Sequence, residues 1–479
     1  MSTKTSSNGK LKFIIGATLG AFLFLVPIPD GSGAFNIPLG FAINWLNGIF
    51  NLDADVPLAD IRIWLAYSFI IISFLGTIIA WLFKPKFIMR NEKLKSILLT
   101  SPLYAITRLL AFVFFTMVIF EINGGPLAFW MEGDEVPTIA ALIIDRWEGA
   151  GLMVFDFITG LTTIFLVLAF AIPLLTDFGL MEFIGILIKK FVNKLFTLPG
   201  RASVDLAASW FGSSAVSVMI TRDQHERGFY TGREAAVVCA NFALVSVPFS
   251  LFVAGALNLE AYFPIWYLMV SVVCVILGII MPRIWPFRNI ADTYAKGATK
   301  QINEEVEAGE SRLAKAVTMA SERAHKTTAN DVVSGGLSAW FNAFFDLFPI
   351  IIAWGTIALF INLTTPLFNW ISWPFGHLLE LFNVPGGAAY APATVVGFVD
   401  MFLPAVFIGD ETYFNTRFIL GALSIVQVIY MAETGALILK SKIPLGLGKL
   451  IATFFIRTLI GLPLIVFFTW ILTILGWIG

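Results

Sequence analysis

"APATVVGFVDMFLPAVFIGDET", residues 391–412, is as long and as apolar as a membrane-crossing helix, yet Asp400 sits near its middle among Pro392, Gly397, Pro404 and Gly409. A plain helical span carries none of these. A carboxylate at the bilayer centre costs about 2.5–3.5 kcal/mol on insertion scales, and Pro and Gly interrupt the backbone ladder that lipid demands. The stretch is therefore expected to enter the membrane and turn back around Asp400.

The whole chain has the composition of a membrane protein. Of 479 residues, 58% are hydrophobic, 15% aromatic and only 13% charged, and mean hydropathy is +0.85. A soluble domain runs nearer half apolar and a quarter charged, so most of this chain faces lipid or another buried helix. Long apolar runs separated by short charged ones indicate an all-α polytopic membrane protein, and the alternating pattern of a transmembrane barrel is missing. A net charge of −1 offers nothing to nucleic acid. Cys239 and Cys274 lie inside apolar runs without metal-ligand spacing, and His325 and His377 stand alone, so neither a disulfide framework nor a zinc site is expected. "GLGK" at 446–449 lacks the full phosphate-loop pattern, and no cofactor is expected. "KLKFIIGATLGAFLFLVPIP" (10–29) is expected to be a retained anchor helix, since "GSGA" (31–34) makes a poor cleavage site.

Apolar runs long enough to cross lie near 12–28, 61–83, 102–121, 154–177, 235–257, 264–282, 341–363, 415–438 and 450–478, about nine spans in all. Two further runs, 202–221 and 387–409, are interrupted by Gly, Pro, Ser and Asp and are expected to be re-entrant hairpins. With the N-terminus inside, 26 of the 31 Lys and Arg fall on the cytoplasmic side, as the positive-inside rule asks of a multi-pass protein of the cell (inner) membrane. Making only one interrupted run a full crossing moves everything after it to the wrong side. His225, in "RDQHER", is expected at the cytoplasmic surface.

A shift of 186 residues superposes the two interrupted runs. It places Ser214 on Asp400, Asn241 on Gln427, and Pro199–Gly200 on Pro385–Gly386; it brings the helix breaker Pro248 onto Thr434, beside Gly435. "FG" at 178–179 precedes one helix and "FG" at 375–376 a shorter one. Three spans separate the hairpins, so the repeats are expected to be inverted, the first entering from the cytoplasm and the second from outside. The expected organisation is N-terminal helices (1–150), a first gate repeat (151–282), a cytoplasmic polar insert (283–337) and a second gate repeat (338–479). Within the insert, 303–326 reads as an amphipathic helix in a solvated or membrane-surface linker.

Inverted repeats with broken helices meeting at mid-membrane are the architecture of secondary transporters. The candidate solute-binding residues are Ser213, Ser214, Asn241, Ser246, Asp400, Gln427, Glu433 and Thr434; Asp400, Glu433 and Asp346 are the candidate ion-coupling carboxylates. Unwound carbonyls suit a cation, Na⁺ or H⁺, and half-helix N-termini suit an anionic or polar group. Each has a blander alternative. Glu433 fits an ion pair with Arg457 or Arg108, Asn241 and Gln427 fit helix–helix glue, and Ser246 with Ser250 fits satisfaction of the backbone freed by Pro248.

"SWFGSSAVSVMITRDQHERGFYTGREAAVVCANFALVSVPFSL" (209–251) and "PATVVGFVDMFLPAVFIGDE" (392–411) resemble the gate-domain, or nucleoside-recognition-domain, membrane proteins, and most closely their YjiH-type branch. Related gate domains occur in concentrative nucleoside transporters and ferrous-iron transport proteins, so the resemblance implies paired hairpins and cation-coupled or gated movement of a solute. No nucleoside-binding signature matches residue by residue, and the guanine-nucleotide-binding domain of the iron transporters is absent from this chain. The expectation is a secondary transporter of a small polar organic solute such as an amino acid, short peptide or nucleoside, acting in the lipid bilayer as a monomer, a homo-oligomer or with a partner subunit. The alternative is a non-transporting assembly or signalling partner that docks through the insert. With no His/Asp/Ser or metal constellation, an enzyme is not expected.

Overall fold

The computed structural model describes residues 7–29, 35–50, 60–122, 150–196, 198–211, 214–242, 245–295, 311–409, 413–441 and 443–478. The side chains of Asp346 and Glu433, and Ser213 as a whole, lie outside this described set. In chain order the helices are α1 (Ser7–Leu25), α2 (Pro38–Phe50), α3 (Ile61–Leu82), α4 (Lys86–Arg90), α5 (Glu92–Leu98), α6 (Pro102–Ile122), α7 (Ala150–Thr176), α8 (Leu180–Phe196), α9 (Ala202–Phe211), α10 (Ser214–Glu226) and α11 (Gly232–Val237). They continue with α12 (Val247–Ala256), α13 (Phe263–Ile280), α14 (Arg312–Lys326), α15 (Ala329–Asn342), α16 (Phe348–Thr364), α17 (Leu367–Leu381), α18 (Ala393–Val396), α19 (Leu403–Ile408), α20 (Phe414–Val426), α21 (Ala436–Lys440) and α22 (Leu447–Ile474). Three π-turns continue or precede helices, at Val238–Phe242, Ala343–Leu347 and Met431–Gly435. One short antiparallel pair, Ile28–Pro29 with Phe35–Asn36, stands among the described residues.

Each run expected to span falls on helix. Among the described residues six helices have the length and apolarity to cross a bilayer, and α16 with α17 forms a further apolar pair bent by 82°. The expected spans 235–257 and 415–438 are instead broken in mid-course, into α11 with its π-turn and α12, and into α20, the following π-turn and α21. The second "FG" does not precede its helix: α17 begins at Leu367, eight residues earlier, and runs through Pro374. Pro374 sits inside that helix, where the ring costs one backbone bond without ending the helix.

The chain divides into two compact units, one of residues 1–39, 170–335 and 374–479, the other of 40–169 and 336–373. In the second unit α6 packs on both α3 and α16, α3 meets the π-turn at 343–347, and Phe69 meets Trp340, Phe341, Phe344 and Phe345 with ring centroids 4.7–5.9 Å apart. The π-turn at 343–347 offers the Phe345 carbonyl to the buried Arg108 Nε (3.1 Å) and to Ser73 Oγ (3.3 Å), while Arg108 Nη1 donates to Thr77 Oγ1 at 2.7 Å. A π-turn widens the backbone by one residue and releases a carbonyl for such use.

In the first unit the described helix of the polar insert is packed against other helices and is not a solvated linker. Helix α14 begins at Arg312, and residues 303–310 lie outside the described set. Its Ala320 and Ala324 are buried against Phe13 and Ala17 of α1, with Leu180 and Phe183 of α8 beside them. Small side chains on both helices permit this approach: a Cβ at Gly9 would lie 2.5 Å from the Ser321 carbonyl. Lys12 Nζ donates to the Thr327 carbonyl (2.8 Å), Thr327 Oγ1 to that of Asp177 (2.7 Å), and Arg323 pairs with Asp177 at 3.1 Å. The sequence shows the amphipathic pattern; the structure covers its alanine stripe (Ala320, Ala324) with this chain's own helices and leaves Leu313 and Met319 exposed.

Gly179 has φ +88°, and a Cβ there would stand 2.3 Å from the Ala320 carbonyl. Gly179→Ala is expected to lever α14 off its seat, which limited trypsin digestion at Arg323 and Lys326 will detect as faster cleavage. Gly48→Ala, where a Cβ meets nothing within 4 Å, should cleave like the parent. Glu182, on α8 outside the candidate spans, has its carboxyl held above the ordinary range by burial, partly offset by its own backbone N–H and by Arg323. The folded state therefore binds the proton more tightly than the unfolded chain, and this group's contribution falls as pH rises from the ordinary glutamate range through the raised value. Thermal melts at pH 4–8 should show a shallower decline for Glu182→Gln than for the parent.

Candidate functional site

The first hairpin is α9 and α10, separated at 212–213, with Ser214 opening the second arm and 6% exposed. A carboxylate that the sequence reading passed over ties its arms together. Asp205, on α9 and 1% exposed, accepts at Oδ2 from Thr221 Oγ1 of α10 and from the Tyr230 hydroxyl, both at 2.9 Å, while Ser217 Oγ donates to its backbone carbonyl. A lone acid in "ASVDLAASW" carries the same signal as Asp400 in its own run. His225 is not at the surface: it is 4% exposed, with Nδ1 2.9 Å from the Tyr230 carbonyl. The turn at Gly228 (φ +86°) folds residues 229–230 back over α10 and buries the ring.

The first broken span follows. Its upper half ends in the π-turn at 238–242, and α12 starts at Val247 with Pro248 in its first turn, where the missing N–H costs nothing. The carbonyl of Val245, freed by the break, accepts from Ser250 Oγ (3.3 Å) and the Tyr267 hydroxyl (3.1 Å). Ser250 thus does satisfy the freed backbone. Ser246 does not, because its Oγ is buried without a hydrogen-bond partner among the described residues.

The second break lies at 427–430, earlier than the Thr434–Gly435 position expected from the sequence. No Pro or Gly marks it. Val428 has φ +65°, a left-handed conformation that costs a β-branched residue about 1–3 kcal/mol, and side chains hold it there. The Val428 N–H donates to the Tyr430 hydroxyl (3.2 Å), which itself donates toward the Ser424 carbonyl (2.8 Å). Thr434 Oγ1 bonds the Val428 carbonyl and accepts from the Tyr430 N–H, both at 3.2 Å. Thr434 therefore repairs the break.

The second hairpin, α18 and α19 with turns before and between them, packs onto this break. The N–H groups of Met431 and Ala432 donate to the carbonyls of Phe398 and Val399 at 2.8 and 3.0 Å, beside the hairpin tip. Asp400 sits at that tip, 4% exposed, and its Oδ1 accepts from the Phe402 N–H at 2.9 Å. Gln427 Nε2 donates to the Thr394 carbonyl of α18 (2.6 Å) and to Thr458 Oγ1 of α22 (2.9 Å). Glycine at residue 397 leaves room for the Gln427 amide in this position: a Cβ there would lie 2.3 Å from Gln427 Oε1, so that side chain would have to move.

Both breaks meet at Arg457 of α22, which is fully buried. Its Nε and Nη2 donate to the Val426 carbonyl at 3.0 and 2.8 Å, Nη1 donates to the Asn241 carbonyl (3.2 Å) and to Asn241 Oδ1, and Nη2 lies 4.0 Å from Cys274 Sγ. One guanidinium thus collects the carbonyl ends of both half-helices. Asn241 bonds this cation directly, whereas Gln427, the residue after Val426, turns its amide to Thr394 and Thr458. Asn241, Asp346 and Glu433 each fall in a π-turn, a feature frequent at functional sites. Among the described residues no group of three or more His, Cys, Asp or Glu converges on a metal position.

Arg457→Met should remove the donors from both breaks and lower unfolding stability by roughly 3 kcal/mol or more, read from thermal melts in detergent. Arg457→Lys, a single ammonium without the planar fork, should recover only part of the loss. Gly397→Ala should behave like a partial Arg457 loss, by forcing Gln427 from Thr394.

A family model described as Gate, nucleoside recognition, matches residues 158–260, from within α7 through the first hairpin and first break. An uncharacterized protein of Alkalihalophilus pseudofirmus is 41% identical over 466 residues, which is 97% of this chain and 95% of that protein. A solved structure of a doubly substituted CNTnw in an outward-facing state aligns over 97% of this chain and 99% of its own, with TM-score 0.38 and 13% identity. The chain belongs to the family of the Alkalihalophilus pseudofirmus protein, and it is a multi-pass membrane protein that carries a Gate (nucleoside recognition) domain at 158–260.

Proposed function

We propose that this Gate-domain membrane transporter moves a small polar organic solute, a nucleoside first among amino acids and short peptides, by coupling to H⁺ or Na⁺. The observation that carries the reading is the pair of broken spans whose inner ends share the Arg457 guanidinium. Broken helices place backbone donors and acceptors at membrane depth, where a continuous span would have none to offer, and secondary carriers bind solute and ion at such points. Asp400 at the tip of the second hairpin and Glu433 in the neighbouring π-turn are the carboxylates assigned to solute and ion; Asp346, in the π-turn of the other unit, is a further coupling candidate. Ser214 and Ser246 supply hydroxyls from the first repeat, with Ser213 next to Ser214 in sequence. In this reading the N-terminus and the 283–337 insert face the cytoplasm, across the cell's inner membrane. The buried face of α14 is occupied by α1, so an insert that serves mainly to dock a partner is the weaker reading.

Uptake into proteoliposomes, screened with labelled nucleosides, amino acids and dipeptides under imposed pH or Na⁺ gradients, tests the proposal. Gradient-dependent accumulation is expected, and Asp400→Asn or Glu433→Gln should cut it by at least about tenfold with reconstitution unchanged. Absence of accumulation for every solute class under both gradients, or parental rates in both variants, sinks it.

A further inference from the structure

A cavity of about 60 Å³ lies between α8, α9, the π-turn at 238–242 and α13, away from the second hairpin. Its wall is hydrocarbon, with Ile188, Phe191 and Phe196 of α8 prominent, except for Trp210, Asn241 and Cys274. Two of these present donors with nothing to bond. Because Arg457 only donates, Asn241 Oδ1 must face it, which turns Nδ2 away. Both Asn241 Nδ2 and Trp210 Nε1 are buried without a hydrogen-bond partner among the described residues, and Asn241 is 2% exposed. A buried donor left unpaired costs about 1–3 kcal/mol, so the cavity is built for an acceptor.

The acceptor's chemistry follows from what the wall lacks. A water molecule would accept both N–H groups but bring two O–H donors of its own, and among the described side chains of the wall only the weakly accepting Cys274 sulfur is there to receive them. A carbonyl oxygen accepts twice and donates nothing. The remaining wall asks for an apolar body, which disfavours a polar solute.

The surface beside the cavity identifies the bearer. Phe191 is 48% exposed and Leu187 40%, and with the exposed Lys190 and Lys194 they form one stripe at i, i+3, i+4 and i+7 of the amphipathic α8. Apolar and basic groups interleaved on one face suit an anionic lipid surface. We propose that the cavity is a site for an anionic glycerophospholipid: an acyl ester carbonyl passes Phe191 and accepts from Trp210 Nε1 and Asn241 Nδ2, and the phosphate rests against Lys190 and Lys194. The cavity adjoins the first break through Asn241, which also holds Arg457, but its occupant is a lipid and its argument does not rest on which solute is carried. A lipid seated there braces the first break.

Native mass spectrometry of the full-length protein in detergent tests this with phosphatidylglycerol, phosphatidylcholine and free oleic acid added separately. The parent is expected to retain one phosphatidylglycerol, about tenfold more readily than phosphatidylcholine. Trp210→Phe, which removes one N–H and keeps the ring in place, should weaken retention of both by about tenfold. Ile188→Trp, which fills the cavity, should abolish retention, and Lys190→Gln with Lys194→Gln should erase only the preference for phosphatidylglycerol. Infrared spectra of ester-¹³C-labelled lipid should show a carbonyl band lowered on binding to the parent, and less so with Trp210→Phe. The proposal is overturned if the parent retains no lipid after delipidation, if oleic acid alone is retained, or if Trp210→Phe binds and shifts the carbonyl as the parent does.

Discussion

A guanidinium buried at membrane depth is the constraint around which the first unit is arranged. Arg457 is surrounded by the carbonyls of Asn241 and Val426 and the side-chain oxygen of Asn241. Two half-helices, one ending in the π-turn at 238–242 and the other at Val426, point their C-terminal ends at it. Each end carries about half a negative charge from aligned peptide dipoles, together with carbonyls that the break has left without intrahelical partners. Five N–H donors in a fixed plane match that demand. The cation offsets the cost of the breaks, and the breaks offset the cost of burying the cation.

From that centre the rest of the unit follows. Gln427, the residue after Val426, reaches α18 and α22, and the N–H groups opposite it pair with the backbone at the tip of the second hairpin. The strained Val428 persists because Tyr430 and Thr434 bond the backbone on both sides of it. Strain retained at a helix break between a hairpin and a buried charge is typical of places that change conformation in function. The first hairpin is held differently, through Asp205 with Thr221 and Tyr230, so the two halves of the repeat share a layout but not its chemistry. The acid stands at the tip of one hairpin and in the arm of the other.

Some of the site was legible in residues and some was not. Asp400 declared itself as a charge inside an apolar run, and Asn241 and Gln427 by their common offset of 186 residues. Pro248 marked the first break to within a few residues, because its ring restricts what precedes it. The second break left no such mark in "QVIY" (427–430), since side-chain hydrogen bonds impose it, and Thr434–Gly435 drew the expectation away from it. Asp205 carried the same signal as Asp400 and was passed over. In the sequence Arg457 fits a partner for Glu433, whereas in the structure its bonds run mainly to backbone carbonyls that no spacing rule exposes.

The sequence by itself determined that this is a helical membrane protein with two interrupted apolar runs, because hydropathy, helix breakers and a lone intramembrane carboxylate are local properties of the chain. It also determined that an amphipathic helix lies within 303–326, since periodicity needs only neighbours, and the structure begins it at Arg312. Tertiary structure alone decided what covers that helix, where the second span breaks and which residue joins the two breaks. Each of those depends on groups far apart in the chain: Phe13 with Ala320, Gly397 with Gln427, Asn241 with Arg457. A buried polar group must find a partner somewhere, but its own sequence neighbourhood does not say where.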